Sequence, residues 1–369
     1  MASISKRKLA GGKFQWRVSY TDSDGNRKRP CFSSWAEANT FRQQTEERLR
    51  KGIYRADAET VTLSLACQEF LAYCAGRSSR NERMTRKTLV VYAGHVKNHI
   101  LNADYQLADI RLSQLTSRRI SQLRDALREA GVSVVTTRRV LATLHTILAH
   151  AKTCDWVAFN AADGVRVIGP RGEGPKKVVP PTKEELRAIL SAAAPDFELC
   201  IFFAASTGLR AGEQWELRWG DINGSQLHVR RRVDVYGEVG PPKSAAGLRE
   251  IPLSKTLNHK LKEWRMRTPF SSDEDLVFSN REGGWLSHAN IIKRRFKPAL
   301  AEAGVEGLHW HALRHFAISS WIEAGLTPKA VQTFAGHSSL QVTMDRYGHL
   351  FPSEDHGRAM DLIASELSG

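Results

Sequence analysis

Long apolar runs are missing from this 369-residue chain. No stretch approaches the roughly 18 consecutive apolar residues that span a bilayer. The first residues, Met1-Ala2-Ser3-Ile4-Ser5-Lys6-Arg7-Lys8, lack the apolar core of a secretion signal. Cysteine is scarce: Cys31, Cys67, Cys74, Cys154 and Cys200 form no C-x-x-C pair and no zinc-ligand spacing. An odd, scattered set of thiols excludes a disulfide framework and fits reduced, packed side chains in a cytoplasmic protein. There is no P-loop G-x-x-x-x-G-K-[ST], no carboxylate cluster suited to Mg²⁺, no internal repeat and no low-complexity tract.

Positive charge, by contrast, is abundant. The net charge is +15, with a pI near 9.8. Such an excess calls for a polyanion, and without an apolar anchor the polyanion is nucleic acid rather than a membrane. The excess is uneven. Residues 1–60 carry 13 Lys+Arg against 7 Asp+Glu, residues 61–170 carry 15 against 8, and the remainder 26 against 24. Sequence-independent phosphate contacts, with their steep salt dependence, are therefore expected in the first 170 residues.

The length implies two or three domains. Over residues 13–33, Phe14, Trp16, Val18 and Tyr20 alternate with Gln15, Arg17 and Ser19 in strand fashion, and Asp24-Gly25 signals a hairpin turn before a return strand from Arg27 to Phe32. Ser34 then caps a helix predicted to run to about Lys51 and to stop at Gly52. Residues 62–168 read as all-helical. Leu89, Tyr92 and Val96 mark one helix; Ile120, Leu123 and Leu127 stripe another; Val140, Leu144, Ile147, Leu148 and Ala151 stripe a third. The pairs Arg118-Arg119 and Arg138-Arg139 lie off these stripes and are candidate DNA contacts. Residues 169–181 hold four prolines and three glycines, the composition of an interdomain linker. Thr182 and Glu185 form a capping box for the next helix. Beyond it the chain is mostly helical, broken by strand-rich stretches at 226–235 and 249–253 and a short apolar run, Leu276-Val277-Phe278.

The chemistry-bearing residues gather in the second half. Thr207-Gly208-Leu209-Arg210-Ala211-Gly212-Glu213 is followed by His311-Ala312-Leu313-Arg314-His315, then Gly336-His337-Ser338-Ser339, then Tyr347. Arginine forks grip phosphate oxygens bidentately, histidines move protons near neutral pH, and a tyrosine oxygen can attack as a covalent nucleophile. Taken singly, an arginine beside a turn is solvated, a lysine in a Gly/Pro-rich turn aids solubility, and a tyrosine packs. The information lies in the ordered set. His311 and Arg314, three residues apart, share a helix face.

That set, with Lys243 in Gly240-Pro241-Pro242-Lys243-Ser244, resembles the tyrosine recombinases, the phage-type integrases, whose pattern is Arg, Lys, His-x-x-Arg, His or Trp, then Tyr. The resemblance implies a multidomain, mainly α protein with small β-sheets. Residues 1–58 correspond to an arm-type DNA-binding sheet plus helix, 62–168 to a helical core-binding bundle, 182–351 to a mixed α/β catalytic domain, and 352–369 to a tail docking on a neighbouring protomer through Met360, Ile363, Ala364 and Leu367. It implies that Arg210 and Arg314 clamp the scissile phosphate and that Glu213 holds the site's shape. Lys243 protonates the leaving 5′ oxygen, and His337 supports through a hydrogen bond to phosphate. His311 acts on the tyrosine proton or the phosphate, and Tyr347 is the nucleophile, activated by two nearby guanidiniums. His315 is read as structural. Ala312 and Phe316 stand where the family commonly has Asp and a small Thr or Ser, and both read as packing positions.

A phosphotyrosine link conserves the ester bond, so the resemblance implies neither metal, cofactor nor ATP. The implied partners are double-stranded DNA attachment sites, three further copies of the chain in a tetramer, and accessory bending or directionality factors. The expected function is integration or excision of a prophage or mobile element. Relaxation of DNA in the manner of a type IB topoisomerase, or DNA-binding regulation on a silent scaffold, stand as alternatives.

Overall fold

The computed structural model describes residues 2–8, 13–21, 25, 27–50, 55, 57–80, 82, 84–170, 179–242, 244–351 and 356–368. The chain divides into two compact units, Met1–Glu173 and Gly174–Gly369. Both are mostly helical with small sheets. No helix among the described residues is long and apolar enough to cross a membrane.

The first unit opens on an antiparallel pair, β1 (Ser3–Lys8) and β2 (Phe14–Thr21), with Ile4 opposite Val18. Two short strands, β3 (Arg27–Lys28) and β4 (Cys31–Phe32), also pair with β2. The alternation in β2 turns Val18 and Tyr20 onto Ala38 and Phe41 of α1 (Trp35–Arg50). Asp24 of the expected turn, and the helix stop at Lys51-Gly52, lie outside the described residues.

Four helices follow: α2 (Leu63–Ser79), α3 (Arg86–His95), α4 (Ser117–Glu129) and α5 (Val134–Thr153). Hydroxyls of Thr62, Thr85, Thr116 and Ser133 cap them by accepting the backbone N–H three residues on, each contributing about 1 kcal/mol. The stripes read from the sequence on α4 and α5 are buried together, each large aliphatic contributing about 2 kcal/mol. The helix expected through Val96 changes winding there: α3 gives way to a π-turn, Val96–Ile100, that buries Val96 and Ile100. Arg118, Arg119, Arg138 and Arg139 are exposed, and Arg138 donates to Val167 O at 3.3 Å.

In the second unit the Thr182–Glu185 capping box starts α6 (Lys183–Ala192), followed by α7 (Pro195–Thr207) and the single turn α8 (Ala211–Gln214). Strands β5 (Ile222–Asn223), β6 (Gln226–Val229), β7 (Arg232–Val233), β8 (Val239–Gly240) and β9 (Arg249–Pro252) come next. They build an antiparallel β5-β6-β9 sheet, with Leu227 opposite Ile251, and a β7-β8 ribbon. Then come α9 (Lys255–Arg267), α10 (His288–Ile291), α11 (Lys297–Glu302), α12 (Trp310–Glu323), α13 (Pro328–Ala335), α14 (Leu340–Tyr347) and α15 (His356–Ser368). A main core joins Phe203, Trp215, Phe278, Trp310 and Leu313. The apolar run at 276–278 is buried, held by Val277 N–H to Leu217 O at 2.8 Å. A second cluster of Ile318, Ile322, Val331, Ala335 and Tyr347 ties α12, α13 and the end of α14 together. It fixes the position of the tyrosine.

Candidate active site

Arg210 reaches the site because α7 must stop. Gly208 closes that helix in the left-handed region, at φ +61°, and a Cβ there would sit 3.0 Å from the Trp321 ring. Two residues on, Arg210 caps α8. Glu213 accepts its backbone N–H at 3.0 Å through Oε2 and its Nη1 at 2.8 Å through Oε1. Arg210 Nη2 donates to Gly336 O at 3.0 Å. This links the start of α8 to the turn before His337. Gly336, at φ +64°, lies so close to Ala246 O and the Arg249 side chain that a Cβ would stand 3.0 Å from each. Only glycine permits both the turn and the contact.

Arg314, from α12, is 3% exposed. Its guanidinium donates to Gly208 O at 2.6 Å and Ala335 O at 2.5 Å. Arg249, which sequence reasoning did not single out, enters from β9. It donates Nη2 to Glu213 Oε2 at 2.8 Å, Nε to Phe334 O at 2.8 Å and Nη1 to Gly247 O at 2.9 Å. The signal was in the alternation: Arg249 and Ile251 point inward while Glu250 and Pro252 are exposed. A strand that buries an arginine must supply it a carboxylate. Glu213 is that carboxylate. Burial works to raise its pKa, but the charge and hydrogen bond of Arg249, then Arg210, hold it at about 2.

His337 is buried, its Nδ1 2.9 Å from Thr343 Oγ1. Its ring lies nearly parallel to that of Tyr347, with centroids 6.2 Å apart. Tyr347 is 1% exposed. Its hydroxyl lies 2.5 Å from Nδ1 of His315. His311 stands in the next row, its ring edge-on to His315 at 4.8 Å. Ala312 is buried and Phe316 packs against the main core, as expected of packing positions.

The structure thus brings together Arg210, Glu213, His311, Arg314, His337 and Tyr347, and adds Arg249 and His315. Lys243 lies outside the described residues. Gly247 packs closely on Pro242, where a Cβ would meet the proline ring at 2.3 Å. Among the described residues no group of His, Cys, Asp and Glu is arranged to hold a metal ion.

Electrostatically the pocket holds an excess of positive charge. Arg210, Arg249 and Arg314 face the single carboxylate Glu213. Burial, and then the charges of Arg210 and Arg249, bring Arg314 down to about 9, which leaves it protonated at neutral pH. Lost hydration and the neighbouring positive charges push His311 and His337 to about 3 and His315 to about 4, so all three are neutral at pH 7. Two guanidiniums were expected to ease ionisation of Tyr347. Burial outweighs them, lifting the phenol to about 12, while Arg314 and Arg346 pull the other way. An anion docked on the guanidiniums would sit in a site already oriented to receive it.

The sequence model described as the phage integrase family matches residues 182–354. A "tyrosine recombinase XerC-like" protein of Caldanaerobacter subterraneus subsp. tengcongensis is 27% identical, over 94% of this chain and 95% of its own length. The ICEBs1 integrase of Bacillus subtilis is 25% identical, over 95% and 97%. Among solved structures, the Tn1549 transposon integrase bound to circular intermediate DNA superposes with a TM-score of 0.64 at 19% identity, covering 81% of this chain and 99% of that one. A lambda integrase tetramer bound to a Holliday junction superposes with a TM-score of 0.61 at 18% identity, covering 92% and 93%. At that identity the structural likeness speaks for the fold.

Proposed function

The chain belongs to the phage integrase family of tyrosine recombinases, and from that premise we propose that it is a site-specific DNA recombinase that integrates or excises a prophage or other mobile element through a 3′-phosphotyrosine intermediate. The observation that carries the reading is that the buried Tyr347 has His315, His337 and Arg314 around it, with His311 against His315 and Arg210 tied to the turn before His337. The assay is strand exchange between two sites taken from the ends of the element carrying the gene, run beside relaxation of a supercoiled plasmid at limiting protein. Recombinant joints support the proposal. Relaxation without exchange makes the protein a topoisomerase, and binding with neither makes it a regulator.

In this reading Arg210 and Arg314 grip the nonbridging oxygens of the scissile phosphate, and Glu213 sets their geometry. His337 supports the phosphate through a hydrogen bond, His311 acts on the phosphate or the tyrosine proton, and Lys243 protonates the leaving 5′ oxygen. A Lys at position 210 or 314 keeps the charge but loses the planar fork. Cleavage by Arg210→Lys or Arg314→Lys should fall by about 100-fold or more, with DNA affinity changed little. A substrate whose 5′ bridging oxygen is replaced by sulfur has a leaving group that needs no proton. It should restore cleavage by Lys243→Ala and leave the arginine variants slow. Equal rescue of all three variants, or of none, contradicts the division of labour.

We assign residues 1–58 to DNA arms separate from the crossover, and residues 62–168 to the core site, with exposed Arg118, Arg119, Arg138 and Arg139 among the phosphate contacts. The protein works in the cytoplasm as a tetramer on two double-stranded attachment sites, with accessory bending or directionality factors. On α15, Met360, Ile363 and Leu367 are 65%, 51% and 84% exposed. An uncovered apolar stripe of this kind fits a neighbouring protomer, and head-to-tail donation closes a ring of four. Deleting residues 352–369 should weaken assembly on paired sites, read by gel mobility, while binding to a single core site survives. Normal tetramer assembly by the truncated protein contradicts the docking.

A further inference from the structure

For Tyr347 to attack, its proton needs an acceptor within hydrogen-bonding reach of the buried hydroxyl. The hydroxyl is 2.5 Å from Nδ1 of His315, the residue after Arg314 on α12. His311, one helical turn earlier, meets the His315 ring edge-on and is exposed. His309 lies about as far from either ring, 6.5 Å from His311 and 6.4 Å from His315 between centroids. The three imidazoles cluster beside the buried hydroxyl, and only His315 touches it. The phenol is the stronger acid of the two neutral groups, so it donates and Nδ1 accepts, with the ring proton on Nε2.

We propose that His315, not His311, is the catalytic base for Tyr347. The proposal rests on the recombinase reading and assigns a step within it. As Oη attacks, the Oη–P bond forms and the P–O5′ bond breaks. The phenolic proton passes to His315 Nδ1, leaving an imidazolium, and the departing 5′ oxygen takes a proton from Lys243. On resealing, both protons return. The groups facing the pair are His309 just before α12, His311 and Arg314 on it, Arg346 from α14, and His337 ahead of α14. Every charged member is positive. A bound phosphate therefore supplies the negative charge that raises the proton affinity of His315 at the moment it is needed.

The test is single-turnover cleavage of a nicked suicide substrate across the range from about pH 6 to about pH 10. The variants are His315→Asn, His315→Ala and His311→Ala, with melting temperatures to confirm folding. Asn places a polar atom near the Nδ1 position but cannot take a proton. It therefore separates proton transfer from positioning, and it carries the test where Ala does not fold. Both His315 variants should lose about 100-fold or more at neutral pH, bind DNA as wild type does, and gain about tenfold per pH unit as tyrosinate forms. His311→Ala removes a group placed at the phosphate and should slow cleavage, but its rate should not climb with pH as those of the His315 variants do. Wild-type cleavage by His315→Asn, or a pH climb in His311→Ala instead, overturns the assignment. Absence of any wild-type adduct would count against the recombinase reading itself. The His315 contact is then judged alone, by ¹⁵N NMR of the histidines in the DNA-free protein: Tyr347→Phe must shift the His315 Nδ1 signal, and an unmoved signal overturns the contact.

Discussion

Replacing Tyr347 by phenylalanine should abolish the SDS-resistant protein–DNA adduct and leave DNA binding intact. The ring is 1% exposed in the cluster of Ile318, Ile322, Val331 and Ala335, and phenylalanine keeps that packing. What goes is one oxygen and its hydrogen bond to His315, a stability cost of about 1 kcal/mol. No other change so small removes a nucleophile while leaving the surrounding pocket in place. The readout is a nicked suicide substrate resolved on a denaturing gel, beside a binding isotherm on intact DNA. Adduct formation by the Phe variant would place the nucleophile elsewhere.

The second large effect is one of stability. Glu213 is the carboxylate that joins Arg210 to Arg249, at 2.8 Å to each guanidinium. Glu213→Gln keeps the shape but leaves Arg210, Arg249 and Arg314 close together without their counter-charge. Breaking one side of a buried pair costs about 3–5 kcal/mol, so the melting temperature of the DNA-free protein should drop by many degrees. Added sulfate or DNA should recover much of the loss, because phosphate supplies the missing negative charge. The pH dependence has a definite sign. The folded pKa of about 2 lies below the ordinary value of 4.5. The stabilisation is complete above the ordinary value and disappears as pH falls from there toward about 2. Denaturant melts across that window should show an acid limb in the wild type that is shallower in the Gln variant. Equal stability and identical acid limbs would mean that the pair contributes nothing.

Local patterns carried much of the fold. The apolar stripes of α4 and α5, the hydroxyl caps and the Thr182–Glu185 box are interactions within a few residues, and spacing reveals them. The candidate set stood out because its members follow one another in a fixed order, each with a recognisable neighbour. What stayed hidden depends on distant partners. Arg249 meets Glu213 across 36 positions, and Tyr347 meets His315 across 32. Spacing placed His311 and Arg314 on one helix face but could not say that the hydroxyl would touch His315. The rise of the Tyr347 pKa follows from burial in a cluster built by three helices. The π-turns at Val96–Ile100 and Ile292–Phe296 likewise respond to tertiary packing rather than to local preference.

The most direct test of the whole account is the chemistry of the trapped adduct. Wild-type protein stalled on a suicide substrate is digested with nuclease and trypsin, and the nucleotide-bearing peptide is sequenced by mass spectrometry. The account predicts a deoxynucleotide joined through its 3′ phosphate to the phenolic oxygen of Tyr347, on the tryptic peptide 347–358. A nucleotide on any other residue, or one joined through its 5′ phosphate, would contradict it.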